Sequence, residues 1–236
     1  MLTPRGGQAP ALRLGETKSM FTPRIAPSML ASDFTRFGEE VTRIVAAGAD
    51  LLHFDVMDGD FVPYFAISPM TIAALRQTTD VPFDVHIMVT RPRRYIDALA
   101  TAGANLITFH IESADAPEAV IKAIHARGVK AGVALSPDTS IEAVLPYLSQ
   151  LDLVLPMSVE PGRGGQTFQP GALEKIARLR QRIDEQNLDV EISADGGVTP
   201  EIAPLAVQRG ATILVAGTAI FRSPHPELVV KQLRQA

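Results

Sequence analysis

Two histidines and two aspartates stand out by type and spacing. They are His53 and Asp55 in LLHFDVMDG (51–59), His86 in PFDVHIMV (82–89) and Asp195 in VEISADGG (190–197). Each lies in an apolar, strand-like run followed by a glycine or a polar loop. Residues i and i+2 of a strand project to one face, so His53 and Asp55 share a face. Two imidazoles and two carboxylates borne on three strands make a four-ligand site for a divalent cation, and this donor set suits zinc, iron(II), manganese(II) or cobalt(II). Any one of these residues alone is better explained as a hydrogen-bonded core histidine or a turn-forming aspartate. Four of them placed alike point to a site.

The chain that carries them has 236 residues, 46% hydrophobic and 20% charged, with a net charge of −4. That is enough for one large domain or two small ones. The acidic balance argues against binding nucleic acid or an anionic membrane surface, both of which call for a basic footprint. There are no cysteines, which excludes disulfides, a thiol nucleophile and thiolate zinc sites, and fits a reducing compartment such as the cytoplasm. No apolar run approaches the roughly 18 residues needed to cross a bilayer. Residues 1–24 (MLTPRGGQAPALRLGETKSMFTPR) are rich in Gly, Pro and Arg and show no periodicity, so a poorly ordered extension is expected there. It lacks the apolar segment of a secretory signal, and translation from Met20 is the simpler account of it. The globular domain is expected over 25–236.

From Ile25 onward, β-rich runs alternate with helical stretches. Strands are expected at 25–30, 50–57, 82–89, 105–112, 129–135, 152–159, 190–195 and 212–217, with helices of ten to eighteen residues between them, such as 34–48 and 170–186. Three strands open after a similar phrase, AAGADLL, TAGANLI and QRGATIL, in which a glycine caps a helix and an apolar strand follows. Near-continuous apolar strands alternating with helices indicate a parallel sheet covered by helices, and eight such units fit a closed (β/α)8 TIM barrel. An open doubly wound sheet is the alternative, but its usual G-x-G-x-x-G after the first strand is missing.

In a barrel, chemistry collects at the C-terminal ends of the strands. His53, Asp55, His86 and Asp195 all fall in the C-terminal parts of strands two, three and seven, and Ser28 of strand one can join them. Asp55 and Asp195 would then flank a substrate from opposite sides. Loop six, PMSVEPGRGGQTFQPG (156–171), is long and carries Gly162, Gly164 and Gly165. Loop seven carries Gly196 and Gly197, and strand eight ends at Gly217-Thr218. Glycine-rich turns after strands seven and eight are where barrels hold phosphate on backbone N–H groups, and loop six would close over the ligand as a lid. Arg163 in that lid either reaches the phosphate or is solvated. The five lysines, Lys18, Lys122, Lys130, Lys175 and Lys231, are all misplaced for a Schiff base at the active rim. That argues against lysine-dependent aldolases and against decarboxylases with a strand-borne lysine.

These stretches together resemble a known family. IAPSMLASDF (25–34), HFDVMDGDFVP (53–63), DVHIMV (84–89), MSVEPGRGGQTF (157–168), ADGGV (194–198) and VAGTAIF (215–221) are similar to the ribulose-phosphate 3-epimerases, in order and to the C-terminus. The resemblance implies a single (β/α)8 barrel of the ribulose-phosphate-binding type. Such an enzyme interconverts D-ribulose 5-phosphate and D-xylulose 5-phosphate on a divalent metal, in the pentose phosphate pathway. It implies His53, Asp55, His86 and Asp195 as metal ligands, Asp55 and Asp195 also as acid and base, and substrate contacts from Ser28 and His86. Phosphate would rest on Gly165, Gly196, Gly197, Gly217 and Thr218. Met57, Met88 and Met157 match the family's methionines around the site; spacing alone reads them as core. Relatives form dimers or hexamers, so a homo-oligomer is expected, and no organic cofactor is.

Chemistry agrees with that implication. Inverting C3 of a ketose phosphate takes a proton from one face and returns one to the other. The enediolate between needs a positive centre for its oxygens, and two carboxylates on opposite sides can exchange roles with direction. The chain departs from the family's common pattern at Asp60, Tyr64, Ser68, Ser136, Glu160 and Arg163, none of them an implied ligand. Tyr64, Ser68, Ser136 and Arg163 are expected to size the sugar gap. ISP (67–69) and MVTRP (88–92) also resemble the allulose-6-phosphate 3-epimerases. Another ketose phosphate, such as D-allulose 6-phosphate, therefore stands as the alternative substrate, and a non-catalytic barrel that binds a phosphorylated ligand as a remoter one.

Overall fold

The apolar runs become eight strands, each close to its expected place and shorter at the ends. In the computed structural model, which describes residues 22–236, these are β1 (Arg24–Pro27), β2 (Leu52–Met57), β3 (Phe83–Met88), β4 (Leu106–His110), β5 (Lys130–Leu135), β6 (Leu153–Pro156), β7 (Glu191–Ala194) and β8 (Ile213–Ala216). The first strand begins at Arg24, one residue before the expected domain start, and gives way at Met29–Ala31 to a 3-10 turn. Residues 1–21 of the expected N-terminal extension lie outside the described residues.

The strands are covered by α1 (Phe37–Ala46), α2 (Pro69–Arg76), α3 (Ile96–Thr101), α4 (Pro117–His125), α5 (Gly171–Glu185), α6 (Ala203–Gln208), α7 (Thr218–Phe221) and α8 (Pro226–Arg234). Most are shorter than the ten to eighteen residues expected. Between β5 and β6 only two 3-10 segments form, Ile141–Ala143 and Leu145–Gln150. There Pro146 lacks an N–H and crowds the preceding turn, so an α-helix cannot run through it. The longest helix, α5, buries Ala172, Ile176, Leu179 and Ile183, a four-three-four spacing that lines one stripe against the sheet.

Every strand pairing is parallel, in the order β1-β8-β7-β6-β5-β4-β3-β2. The remaining seam, between β1 and β2, is drawn together by the N–H groups of Asp50 and Leu51 donating to the carbonyl of Ile25, at 2.9 and 3.3 Å. A parallel bridge between Ser28 and His53 follows. The ladder thus curls into the expected barrel.

Alternation along the strands separates two apolar groups. Phe54, Val85, Ile107, Val133, Ile192 and Leu214 join the helices in the large outer core. Ala26, Leu106, Ala134, Leu153, Leu155, Ile213 and Val215 form a smaller group of their own. These are the positions that face inward. On β2, β3, β4 and β7, many of the inward positions are instead polar and buried: His53, Asp55, Asp84, His86, Thr108, His110 and Ser193. One side of the barrel interior is apolar and the other carries ionisable groups, an arrangement that costs desolvation unless those groups are partnered. Among the described residues no helix is long and apolar enough to cross a membrane.

Candidate active site

Register decides which polar groups meet. On β2 and β3, His53 lies opposite Asp84 and Asp55 opposite His86. Ser28 bridges to His53 from β1, and Asp195, one residue past β7, bridges to Met157. One ligand atom each from His53, Asp55, His86 and Asp195 then falls within 4.8 Å of the others. The four residues singled out by type are therefore brought together. Their heights differ from expectation: His53 is the second of six residues in β2, below the C-terminal half, and Asp195 lies just above its strand.

Hydrogen bonding around the two histidines is one-sided. His53 Nδ1 is 2.8 Å from Asp84 Oδ2, and His86 Nε2 is 2.9 Å from His110 Nε2. The other nitrogens, His53 Nε2 and His86 Nδ1, are fully buried and have no hydrogen-bond partner. They stand 3.4 and 3.3 Å from the same atom, Asp55 Oδ1, and His53 Nε2 is 3.7 Å from Asp195 Oδ2. An unpartnered buried polar atom costs about 1–3 kcal/mol. Two such nitrogens converging with two carboxylates form a donor set that a divalent cation satisfies.

Electrostatics point the same way. Burial opposes the imidazolium of His53, but the charges of Asp84 and Asp55 outweigh it and lift its pKa well above the ordinary value. Burial would raise Asp55 too, yet His53 and His86 hold it well below the ordinary carboxylate range. Burial lifts Asp195, with His53 opposing and Asp55 reinforcing the rise. The cluster thus draws in positive charge, and its two cavity carboxylates have proton affinities pushed apart, the usual mark of an acid and base pair.

Above the cluster lies a cavity of about 500 Å³ lined by Ser28, Asp55, Asp195, Met57, Met88 and Met157, by loop residues 159–168, and by Gly196, Gly197, Gly217 and Thr218. Ser28 Oγ donates to Asp55 Oδ2 at 2.9 Å. His53 and His86 do not line the cavity; they reach the site from beneath, at zero exposure, so the expected direct contact of His86 with substrate has no surface to form on. Gly165, Gly196 and Gly197 all have positive φ. A Cβ on Gly197 would stand 2.4 Å from the Phe168 nitrogen, because the loop after β7 packs backbone to backbone on the loop after β6. Ser158 closes that seam, its N–H donating to the Asp195 carbonyl at 3.0 Å. Gln166 braces the loop after β6 by donating to the carbonyls of Glu160 and Arg163, at 2.8 and 2.9 Å.

Of the four positions expected to size the sugar gap, only Arg163 lines the cavity, together with Glu160. Ser68 caps α2 by accepting from the Thr71 N–H. The N–H of Ser136 donates to Glu112 at 2.8 Å. Tyr64 is half exposed and packs near Gly162. Among the described residues no lysine lines the cavity.

Asp84, His110 and Glu112 are the functional candidates missed from sequence. His110 Nδ1 is 3.1 Å from Glu112 Oε2. Burial keeps His110 neutral, with its pKa lowered to about 4. Burial would raise Glu112, but hydrogen bonds from His110, Thr139 and Ser136 outweigh it and hold it at about 2. The signal was present as Asp84-x-His86 within β3 and His110-x-Glu112 at the end of β4, two further i, i+2 pairs.

Residues 24–221 match the ribulose-phosphate 3 epimerase family. The ribulose-phosphate 3-epimerase of Schizosaccharomyces pombe is 43% identical over 220 residues, covering 92% of this chain and 95% of that protein. The cytoplasmic isoform of ribulose-phosphate 3-epimerase from Oryza sativa subsp. japonica is 44% identical, over 90% of this chain and 93% of its own. In fold the chain is similar to the crystal structure of 3-keto-L-gulonate-6-phosphate decarboxylase from Vibrio cholerae, with a TM-score of 0.69 at 14% identity over 91% of this chain and 96% of that one. With the barrel, the paired carboxylates and these relatives together, the chain belongs to the ribulose-phosphate 3-epimerase family and is an isomerase.

Proposed function

We propose that this enzyme interconverts D-ribulose 5-phosphate and D-xylulose 5-phosphate by inverting C3, with Asp55 and Asp195 as the two acid/base groups, in the cytoplasm. The observation that carries the reading is that the carboxylates of Asp55 and Asp195 line one cavity, in a chain of this family. A proton taken from one face of C3 by one aspartate is matched by a proton given to the other face by its partner, and the roles exchange when the reaction runs backward.

The proposed cation ligands are His53 Nε2, His86 Nδ1 and the carboxylates of Asp55 and Asp195, and zinc, iron(II), manganese(II) and cobalt(II) all suit them. When bound, such an ion supplies Lewis-acid charge to the oxygens that become negative as the C3 proton leaves. Ser28 orients Asp55 through its 2.9 Å hydrogen bond and contacts the substrate. Met57, Met88 and Met157 give the cavity an apolar floor that keeps water from the abstracted proton. Backbone N–H groups at Gly165, Gly196, Gly197, Gly217 and Thr218 hold the phosphate, leaving the distance from that cradle to the aspartates to set how many carbons fit.

The test is kcat/KM for a panel of ketose phosphates with cation-loaded protein. D-ribulose 5-phosphate and D-allulose 6-phosphate differ by one CHOH unit between C3 and phosphate, so discrimination of roughly 10- to 200-fold is expected in favour of the pentulose. A ratio favouring the six-carbon substrate would reassign the sugar; turnover of none would overturn the reading.

A further inference from the structure

The geometry points to His110 and Glu112 as positioning residues that hold His86 in the tautomer whose Nδ1 is bare, through a two-link hydrogen-bond chain running outward from the cation site. The inference rests on the reading of His86 as a ligand.

The chain of atoms is continuous. Glu112 Oε2 lies 3.1 Å from His110 Nδ1, His110 Nε2 lies 2.9 Å from His86 Nε2, and His86 Nδ1 faces Asp55 Oδ1 at 3.3 Å with no hydrogen-bond partner. A neutral imidazole offers one N–H and one lone pair. Two imidazole nitrogens in contact therefore need one of each, and the direction of the pair is set from one end. Glu112 is that end. Its Oε1 already accepts from the Ser136 N–H at 2.8 Å, and a carboxylate offers only acceptors, so His110 Nδ1 must donate to Oε2. His110 Nε2 is then bare, His86 Nε2 carries the proton and donates to it, and His86 Nδ1 presents a lone pair inward. With the chain reversed, His86 Nδ1 would carry a hydrogen and could bind no cation.

Asp55 Oδ1, 3.3 Å from His86 Nδ1, pulls the other way, so Glu112 is the group that favours the bare Nδ1. Both rings are fully buried, and Phe61 packs over His110 with ring centroids 4.9 Å apart. The two histidines of the site are thus oriented differently. His53 meets a carboxylate directly, at Asp84, whereas His86 meets one only through a second imidazole.

The test compares Glu112→Gln, His110→Gln and the double variant. In Glu112→Gln the Ser136 N–H claims the new carbonyl, leaving the amide NH2 to face His110 Nδ1 and reverse the chain. Zn²⁺ affinity, measured by competition with a chromophoric chelator, is expected to fall roughly 10- to 100-fold. In His110→Gln the glutamine carbonyl takes the place of the ring Nε2 and accepts from His86 directly. Affinity should stay within about threefold of wild type, and adding Glu112→Gln should cost nothing further. If Glu112 only braces the loop after β5, or acts only by its charge, the loss is equal in both backgrounds and the inference fails. Histidine 15N spectra of zinc-free protein give an independent readout: His110, the ring that meets Glu112, should be protonated at Nδ1 in the wild type and at Nε2 in Glu112→Gln. An unchanged tautomer overturns the proposal even if the His110 variant does not fold. Wild-type protein that binds no Zn²⁺ refutes the cation site itself, whereas tight binding with an unaffected Glu112→Gln refutes only the chain.

Discussion

Replacing Asp84 by asparagine keeps its volume and removes one charge from beneath the site. Asp84 lines none of the cavity, so an effect on the chemistry must travel through His53, whose Nδ1 it meets at 2.8 Å with both side chains buried. A hydrogen bond to a charged group in such surroundings contributes about 1.5–3 kcal/mol. Asparagine can face the ring with its NH2, donate to Nδ1 and move the ring proton to Nε2, the atom that points at the cation position. At 1.4 kcal/mol per factor of ten, loss of that bond weakens cation affinity roughly 10- to 150-fold. The assay is Zn²⁺ titration of activity alongside chelator competition. The half-saturating concentration should rise by that factor while kcat at saturating Zn²⁺ stays within a few-fold of wild type. Asp84 is also the largest influence raising His53, so the ring's titration in cation-free protein should move down. Affinity within twofold of wild type would refute the assignment of Asp84 as the group that orients His53, and a kcat collapse at saturating cation would place it in the chemistry instead.

Three further outcomes are expected. Asp55→Asn and Asp195→Asn should each lower turnover by about 10²- to 10⁴-fold, and wild-type turnover in D2O should place deuterium at C3; an epimerised product free of solvent deuterium would sink the two-base scheme. Gly197→Ala forces a Cβ to within 2.4 Å of the Phe168 nitrogen at a φ of +64. It should raise KM for the phosphorylated substrate and weaken inhibition by inorganic phosphate while zinc content stays at wild-type level, and an unchanged KM would remove Gly197 from the phosphate cradle. Burial holds His110 at about 4 against 6.5 when unfolded, so between those values the unfolded chain binds a proton that the native chain refuses, and stability falls as pH falls. Across the window this amounts to about 3 kcal/mol, and Glu112, held at about 2, adds its own loss only below its unfolded value near 4.5. Denaturant titrations of cation-free wild type and His110→Gln at pH 7 and pH 4.5 should diverge by an amount of that order, and parallel pH dependence in the two proteins would contradict it.

The barrel was legible in the sequence because its cause is local. Apolar runs at regular intervals, several of them preceded by a glycine-capped helix as in AAGADLL, point to parallel strands, and all eight formed within a few residues of their expected places. The period-2 pattern also placed His53 with Asp55 on one face before any contact was known. Local pattern could not tell a ligand candidate from its support. His53-x-Asp55 and Asp84-x-His86 are the same kind of signal, yet Asp55 lines the cavity while Asp84 lies beneath His53, because the β2–β3 register sets His53 against Asp84 and Asp55 against His86. The same limit hid His110 and Glu112, which matter through a neighbour on another strand, and it misdirected the reading of Ser68 and Ser136, which serve a helix cap and a carboxylate rather than the sugar gap. Side-chain type and strand period are properties of a segment. Height within a barrel, and so which polar atom finds a partner and which is left bare, follows from the stagger between strands, which only the closed sheet determines.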